Sequence, residues 1–355
     1  MQARIDAHVH VLGAGTEGAR QLALIERGYA YETANFLSVE GMNDAAQNAL
    51  GIYFKLLDPS HYAFGGFHYR FAYDFAAELE SLHAIGFDGI KMIENKPTER
   101  RHLGFRQDDP RYEAAYALAQ ELDYPFLIHV NDPRDFWDKD LCPDWARAAG
   151  YFYGDAEEGW PSYEQILSET LEMLERFPRL RICCAHLLFL SDDEPRLRRL
   201  MEEHQNLYLD VTAGTEMYFS FGRDLERWRR FFTDFQDRIF FGTDNANRFT
   251  EEDKRIADEL NRVEQTIFSS HGTLTLWGET IRGLALPESV TDKLYSENFR
   301  HFAGASPRKL DREKAAAYLE RRLEDTRFAL TQAERQIINE ILLILKNQRS
   351  ILKLV

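Results

Sequence analysis

Two histidines spaced one residue apart carry the first chemical signal in the chain. They sit in Asp6-Ala7-His8-Val9-His10, within a strand-like stretch near the N-terminus. Side chains alternate along an extended strand, so His8 and His10 point to one side, close enough for two imidazoles to bind one ion. Three later apolar runs each end in a residue able to bind a metal or move a proton: Pro125-Phe-Leu-Ile-His129, Ile182-Cys-Cys-Ala-His186 and Ile239-Phe-Phe-Gly-Thr-Asp244. A single histidine at the end of a buried strand is ordinarily a hydrogen-bonded core residue. Five polar groups recurring at strand ends in one chain call for another explanation. His61, His83, His102, His204, His271 and His301 end no such run, whereas His68 does and is a candidate to line the same pocket.

The elements that must position these residues alternate in type. Runs rich in β-branched and aromatic residues fall at 3–7, 34–39, 62–67, 87–93, 125–130, 180–187, 206–211 and 238–242, and read as eight strands. Between them lie segments with apolar residues at helical spacing, such as Phe75, Leu79 and Leu82, or Ile166, Leu167, Leu171 and Leu174. Repeated strand-helix units imply right-handed crossovers and a parallel sheet. Eight units fit a closed (β/α)8 TIM barrel, in which all strands finish at one face and His8, His10, His129, His186 and Asp244 converge there. An open doubly wound sheet is disfavoured, because Gly13-Ala14-Gly15 is too short for a phosphate loop and lies beyond the histidines.

The barrel is expected over residues 1–306. An aromatic and charged insert at 131–161, after strand five, reads as a cover for the active site. A helical extension follows at 307–355, with Thr331 and Glu334 forming a capping box ahead of the apolar stripe Ile337, Ile338, Ile341, Leu342 and Leu345. That stripe is expected to pack on the barrel or to pair two copies as a homodimer.

Composition narrows the partners. Lys and Arg total 43 against 59 Asp and Glu, a net charge of −16 in 355 residues, which repels nucleic-acid backbones and anionic lipid heads. A hydrophobic fraction of 44% excludes disorder. Cys142, Cys183 and Cys184 suggest no disulfide framework, and no leader or membrane-spanning run is evident, so a cytoplasmic protein acting on a small molecule is expected.

Taken together, His8-x-His10, His129, Ala185-His186 and Phe241-Gly-Thr-Asp244 resemble the amidohydrolase superfamily. The resemblance is to its amidohydrolase-related branch, which includes the aminocarboxymuconate-semialdehyde decarboxylase type. Gly89-Ile-Lys91, Asn131-Asp132-Pro133, Leu209-Asp210 and the stretch from Leu286-Pro287-Glu288 through Tyr295 to Asn298 support it over roughly residues 4 to 303. The resemblance implies that His8, His10, His129 and Asp244 ligate one divalent ion, zinc foremost, with manganese or iron(II) as alternatives. An ion so held lowers the pKa of a coordinated water from about 15.7 towards about 7. His186 would then orient that water or polarise the substrate, and Asp244 would take its proton. Asp6 would accept an N–H from a ligand imidazole or simply cap the turn. Lys91 has three readings: a carboxylated bridge between two metals, a substrate contact, or a structural ion pair. Arg134, Trp137 and Arg248 are candidate substrate contacts. Two reaction classes follow: hydrolysis of an amide, lactone or related bond, and non-oxidative decarboxylation of an aromatic or unsaturated acid. A catalytically idle binding barrel would leave a gap in the ligand set, and none is visible.

Overall fold

The computed structural model describes residues 3–11, 15–40, 45–69, 74–212, 215–246 and 251–347. Eight strands pair in parallel and in chain order: β1 (Ile5–His10), β2 (Thr33–Leu37), β3 (Tyr62–Gly66), β4 (Gly89–Asn95), β5 (Phe126–Val130), β6 (Ile182–Cys184), β7 (Leu207–Asp210) and β8 (Ile239–Phe240). Backbone bonds bring the last strand back to the first. The amide of Ala7 donates to Phe241 O at 3.2 Å, that of Asp244 to His8 O at 2.9 Å, and that of His10 to Asn245 O at 2.7 Å. The architecture is a (β/α)8 TIM barrel.

Period-two alternation sorts the strand residues into two cores. Ile5, Ala7, Leu37, Phe64, Leu127, Cys183, Tyr208 and Phe240 face inward, and Phe299 and Phe302 complete the inner cluster. Val9, Phe36, Ile90, Met92, Phe126, Ile128, Leu209 and Ile239 face the surrounding helices. Strict alternation from Ile5 and Ala7 would turn His8 and His10 outward. The β1–β2 register slips between Asp6 and Val9, and this bulge re-aims both imidazoles towards the interior while Val9 joins the outer layer.

Two strand ends differ most from the expectation, each by three residues. β1 runs through His10, so the histidine pair lies on the strand itself. β6 ends at Cys184, short of Leu187, because His186, Leu187, Leu188 and Phe189 have φ of 57°, 51°, 57° and 50°, a left-handed turn that leaves the sheet. An antiparallel hairpin, Thr273–Leu276 with Glu279–Arg282, adds to the eight strands.

The extension docks on its own barrel. The helices Arg312–Glu324 and Gln332–Lys346 pack against each other, and the second rests on Gln47–Leu57 and Gly15–Gly28, burying Ile338, Ile341, Leu342 and Leu345. The Thr331–Glu334 capping box forms as its sequence requires, and Glu334 Oε1 also accepts the amide of Ala45 at 2.6 Å. Arg322, buried, lies 3.0 Å from Glu40 and 3.2 Å from Glu78. Among the described residues no helix is long and apolar enough to cross a membrane.

Candidate metal centre

The residues at the strand ends meet at one mouth. His8 Nε2 lies 3.2 Å from His10 Nε2 and 3.5 Å from Asp244 Oδ1, and His10 Nε2 lies 3.1 Å from the same oxygen. Their ligand atoms all fall within 4.8 Å of one another, a group that could hold a metal ion. Close approach of β8 makes this possible. A Cβ on Gly242 would stand 2.7 Å from His8 Cβ and 2.6 Å from Thr212 Cγ2, so only glycine fits there. Asp244 then turns with φ of 60°, left-handed backbone that a short polar residue tolerates.

Hydrogen bonds settle which ring nitrogens carry protons. A carboxylate only accepts, so His8 Nδ1–H donates to Asp210 Oδ2 at 2.8 Å, leaving Nε2 as a lone pair facing the cluster. Asp210 Oδ1 accepts the hydroxyl of Thr212 at 2.5 Å and the amide of His186 at 2.8 Å. The Thr212 oxygen, its proton already committed, accepts His186 Nδ1–H at 3.0 Å. His186 therefore also presents a bare Nε2. One carboxylate on β7 thus sets the tautomer of His8 directly and of His186 through a single hydroxyl.

The electrostatics suit a cation. Burial lowers the His8 pKa to about 3, with Lys91 adding to the effect and Asp210 opposing it. Burial likewise lowers His186 to about 4. Both rings are neutral at physiological pH, as metal ligation requires. Burial works against ionisation of Asp244, but the contacts with His10, His8 and His186 outweigh it and hold the carboxyl well below the usual range. Neutral imidazoles with an ionised carboxylate form a donor set that a divalent ion fits.

His129 stands beside this group but outside it. Its ring centroid is 5.0 Å from that of His186, while its Nε2–H donates to Asn131 O at 2.8 Å, made possible by left-handed backbone at Asn131, φ 66°. Of the four ligands implied by resemblance, the structure clusters three and sets the fourth adjacent. Lys91 is buried, and among the described residues its Nζ makes one polar contact, 3.2 Å to His8 Nε2, so it forms no structural ion pair. Burial lowers its pKa to about 8.

Asp6 does not accept an imidazole N–H. Lying before the bulge, it points to the outer layer, where it accepts Thr243 Oγ1 at 2.5 Å and the amides of Thr243 and His8. Asp210 does what was expected of Asp6. Arg134 stacks over Tyr163 at 5.0 Å and lies 3.7 and 3.6 Å from Asp192 and Asp193, while Trp137 Nε1 donates to Pro161 O at 3.0 Å. Arg134 thus joins the insert to residues outside it, whereas the Trp137 bond closes the insert on itself. Arg248 lies outside the described residues. His68 is buried with its ring 4.8 Å from that of Phe328, against the extension. In the sequence Asp210 carries no role beyond the resemblance, and nothing there marks Thr212. The one available signal was a polar residue ending the seventh apolar run.

The amidohydrolase family model matches residues 5–302. No curated protein sequence matches the chain significantly. Among solved structures, 4-oxalomesaconate hydratase of Rhodopseudomonas palustris is similar at TM-score 0.52 and 14% identity, covering 90% of this chain and 99% of its own. Amidohydrolase 2 of Bifidobacterium longum subsp. infantis gives 0.43 at 11% identity over 88% and 100% of the two chains. Metarhizium anisopliae IDCase gives 0.49 at 11% over 85% and 97%. At these identities the first likeness concerns the fold alone.

Proposed function

The chain belongs to the amidohydrolase family, and on that premise we propose that its barrel mouth is a metal-dependent active site that hydrolyses an amide, lactone or related bond of a small molecule. The observation that carries the reading is the His8–His10–Asp244 group, with donor atoms 3.1 to 3.5 Å apart at the strand ends of the barrel. These three residues, with His129 beside them, would hold one divalent ion, zinc being the best match to imidazole and carboxylate donors. Such an ion, when bound, supplies a water acidic enough to ionise near neutral pH and polarises the scissile carbonyl.

The chain's own residues do the rest. Asp244, held ionised, is an acceptor for a proton released at the mouth. His186, with Nδ1–H committed to Thr212, offers Nε2 as acceptor to a water or substrate hydroxyl. Lys91 places a positive charge behind His8, where it offsets negative charge growing in the transition state.

Non-oxidative decarboxylation is a second reading, favoured by one observation: a buried ammonium, Lys91, stands 3.2 Å from His8 and could supply a proton to a carbanion. Metal analysis of the purified protein, paired with a panel of lactones, amides and aromatic or unsaturated acids, tests both. Hydrolysis predicts about one divalent ion per chain and turnover of a lactone or amide, both abolished by His8→Ala. Release of carbon dioxide from an acid would assign the second reading instead. An Asp244→Ala protein with full metal content and unchanged turnover would overturn the site.

A further inference from the structure

Asp132 is almost fully buried two residues beyond the end of β5, yet three separate parts of the chain converge on its carboxylate. Oδ1 lies 3.4 Å from His129 Nε2 and 2.7 Å from Lys96 Nζ, which follows β4. Oδ2 accepts the hydroxyl of Tyr153 at 2.6 Å, from the far side of the 131–161 insert, and lies 2.9 Å from Lys96. The same Lys96 ammonium stacks over the Tyr151 ring at 4.7 Å.

The insert is a packed unit in its own right. Phe136, Cys142, Ala146 and Tyr153 form an apolar cluster separate from the two barrel cores, flanked by Trp137, Tyr151, Phe152 and Trp160. A segment with its own small core is seated on the frame by a limited set of contacts, and the polar ones among them bear on neighbouring groups. Here Asp132, at the root of the insert where it leaves β5, links Tyr153 within the insert to His129 and Lys96 of the frame.

We propose that Asp132 is a positioning residue that couples the His129 imidazole to the seating of the insert. With the insert seated, Tyr153 and Lys96 fix the carboxylate, and the carboxylate together with Asn131 O fixes the ring with Nε2–H turned away from the cluster and the Nδ1 lone pair left available. A carboxylate beside the N–H of a ligand imidazole orients the ring and raises its basicity. With the insert displaced, Asp132 loses one donor and the ring loses that constraint. The proposal rests on the reading of the mouth as a divalent-cation site, because only there does the orientation of His129 matter.

Tyr153→Phe tests it with little risk to folding, since the ring stays in the insert cluster and one oxygen is removed. Asp132→Asn removes the charge and keeps the shape. In the full-length, metal-free protein, the imidazole 15N resonances of His129, assigned by their loss in His129→Gln, should move in both variants. Zinc titration should show affinity reduced about 10-fold in Tyr153→Phe and up to about 100-fold in Asp132→Asn. Three of the five tryptophans, Trp137, Trp145 and Trp160, lie in the insert, so zinc should change tryptophan emission in the wild type and change it less in Tyr153→Phe. Unmoved His129 resonances in both variants would overturn the proposal, whatever the emission does. So would wild-type zinc affinity in both variants of a protein that binds zinc. If the wild type takes up no zinc while the His129 resonances still move, the metal reading fails and the positioning of His129 stands.

Discussion

His8 and Asp210 are joined by a 2.8 Å hydrogen bond across 202 residues of chain, from Nδ1–H on the first strand to a carboxylate oxygen on the seventh. The bond turns the free nitrogen of His8 to the mouth, and through Thr212 the same carboxylate does this for His186.

Asp210→Asn should weaken divalent-metal binding by about 10- to 100-fold, the usual effect of removing a carboxylate behind a ligand imidazole. Its two oxygens accept from His8 Nδ1, His186 N, Thr212 N and Thr212 Oγ1, and an amide presents only one oxygen, so some of these donors must face an NH2. Metal titration followed by elemental analysis measures the effect. Wild-type affinity in the variant would remove Asp210 from the support of the site.

Thr212→Val keeps the shape of the side chain and deletes the hydroxyl that orients His186. His186 Nδ1–H keeps only its longer contact to Thr212 O, at 3.3 Å, and the loss of one buried hydrogen bond costs about 0.5–1.5 kcal/mol, which corresponds to a loss of about 2- to 13-fold in kcat/KM with bound metal unchanged. Equal loss of metal and activity would instead assign Thr212 to ligation.

Gly242→Ala should disrupt the site although the change adds one methyl group. The added Cβ falls 2.6 Å from Thr212 Cγ2 and 2.7 Å from His8 Cβ, contacts that force β8 away from β1 at a cost of about 1–3 kcal/mol. Lower melting temperature together with lost metal binding is the expected pair of results. Unaltered metal binding would mean that the strands separate without disturbing His8.

The contribution of Glu94 to stability should fall as pH rises through the range in which it titrates. Burial raises this carboxyl from 4.5 to about 7, against hydrogen bonds from Tyr69, Tyr112 and the Ile93 amide. Between those values the unfolded chain releases a proton that the folded chain keeps, so folding loses up to about 3 kcal/mol as pH climbs from 4.5 to 7. Glu94→Gln carries no such proton, and urea unfolding at pH 4, 5.5 and 7.5 should show its stability rising relative to wild type along the series. A constant difference would show that Glu94 titrates as an ordinary carboxyl.

Asp88→Asn should destabilise the protein by about 3–5 kcal/mol, because it strands the buried ammonium of Lys55, now 2.6 Å from Asp88 Oδ2. Asp88 Oδ1 also accepts the amide of Arg308 at 2.6 Å, so the start of the extension loosens as well. Lys55→Met combined with Asp88→Leu should unfold at higher urea than Asp88→Asn alone. A double variant less stable than the single would mean that the pair contributes net stability.

Much of the barrel mouth was legible one-dimensionally. His129, His186 and Asp244 each follow an apolar run, and in a parallel barrel every run ends at the same face, so composition and period two suffice to bring them to one mouth. The capping box at Thr331 and Glu334 was legible for a similar reason, since its partners are three residues apart. The hairpin from Thr273 to Arg282 was not, because each of its strands is only four residues long and most of their side chains are exposed, although Thr273-Leu274-Thr275-Leu276 alternates in burial.

The sequence by itself determined which residue types stand at the ends of the strands, because burial demands apolar runs and a polar residue at their close is conspicuous. Only the tertiary structure decided how they face. The slip between Asp6 and Val9 turns His8 and His10 inward and Asp6 outward, and a bulge leaves no mark on local alternation because it is set by pairing with β2. The left-handed turn at His186 ends β6 early, at about 1–2 kcal/mol per residue, and persists because Leu187 and Leu188 are fully buried and Asp210 holds the His186 amide. Asp210 acquires its part from a neighbour 202 residues away, a relation that exists only once the barrel has closed.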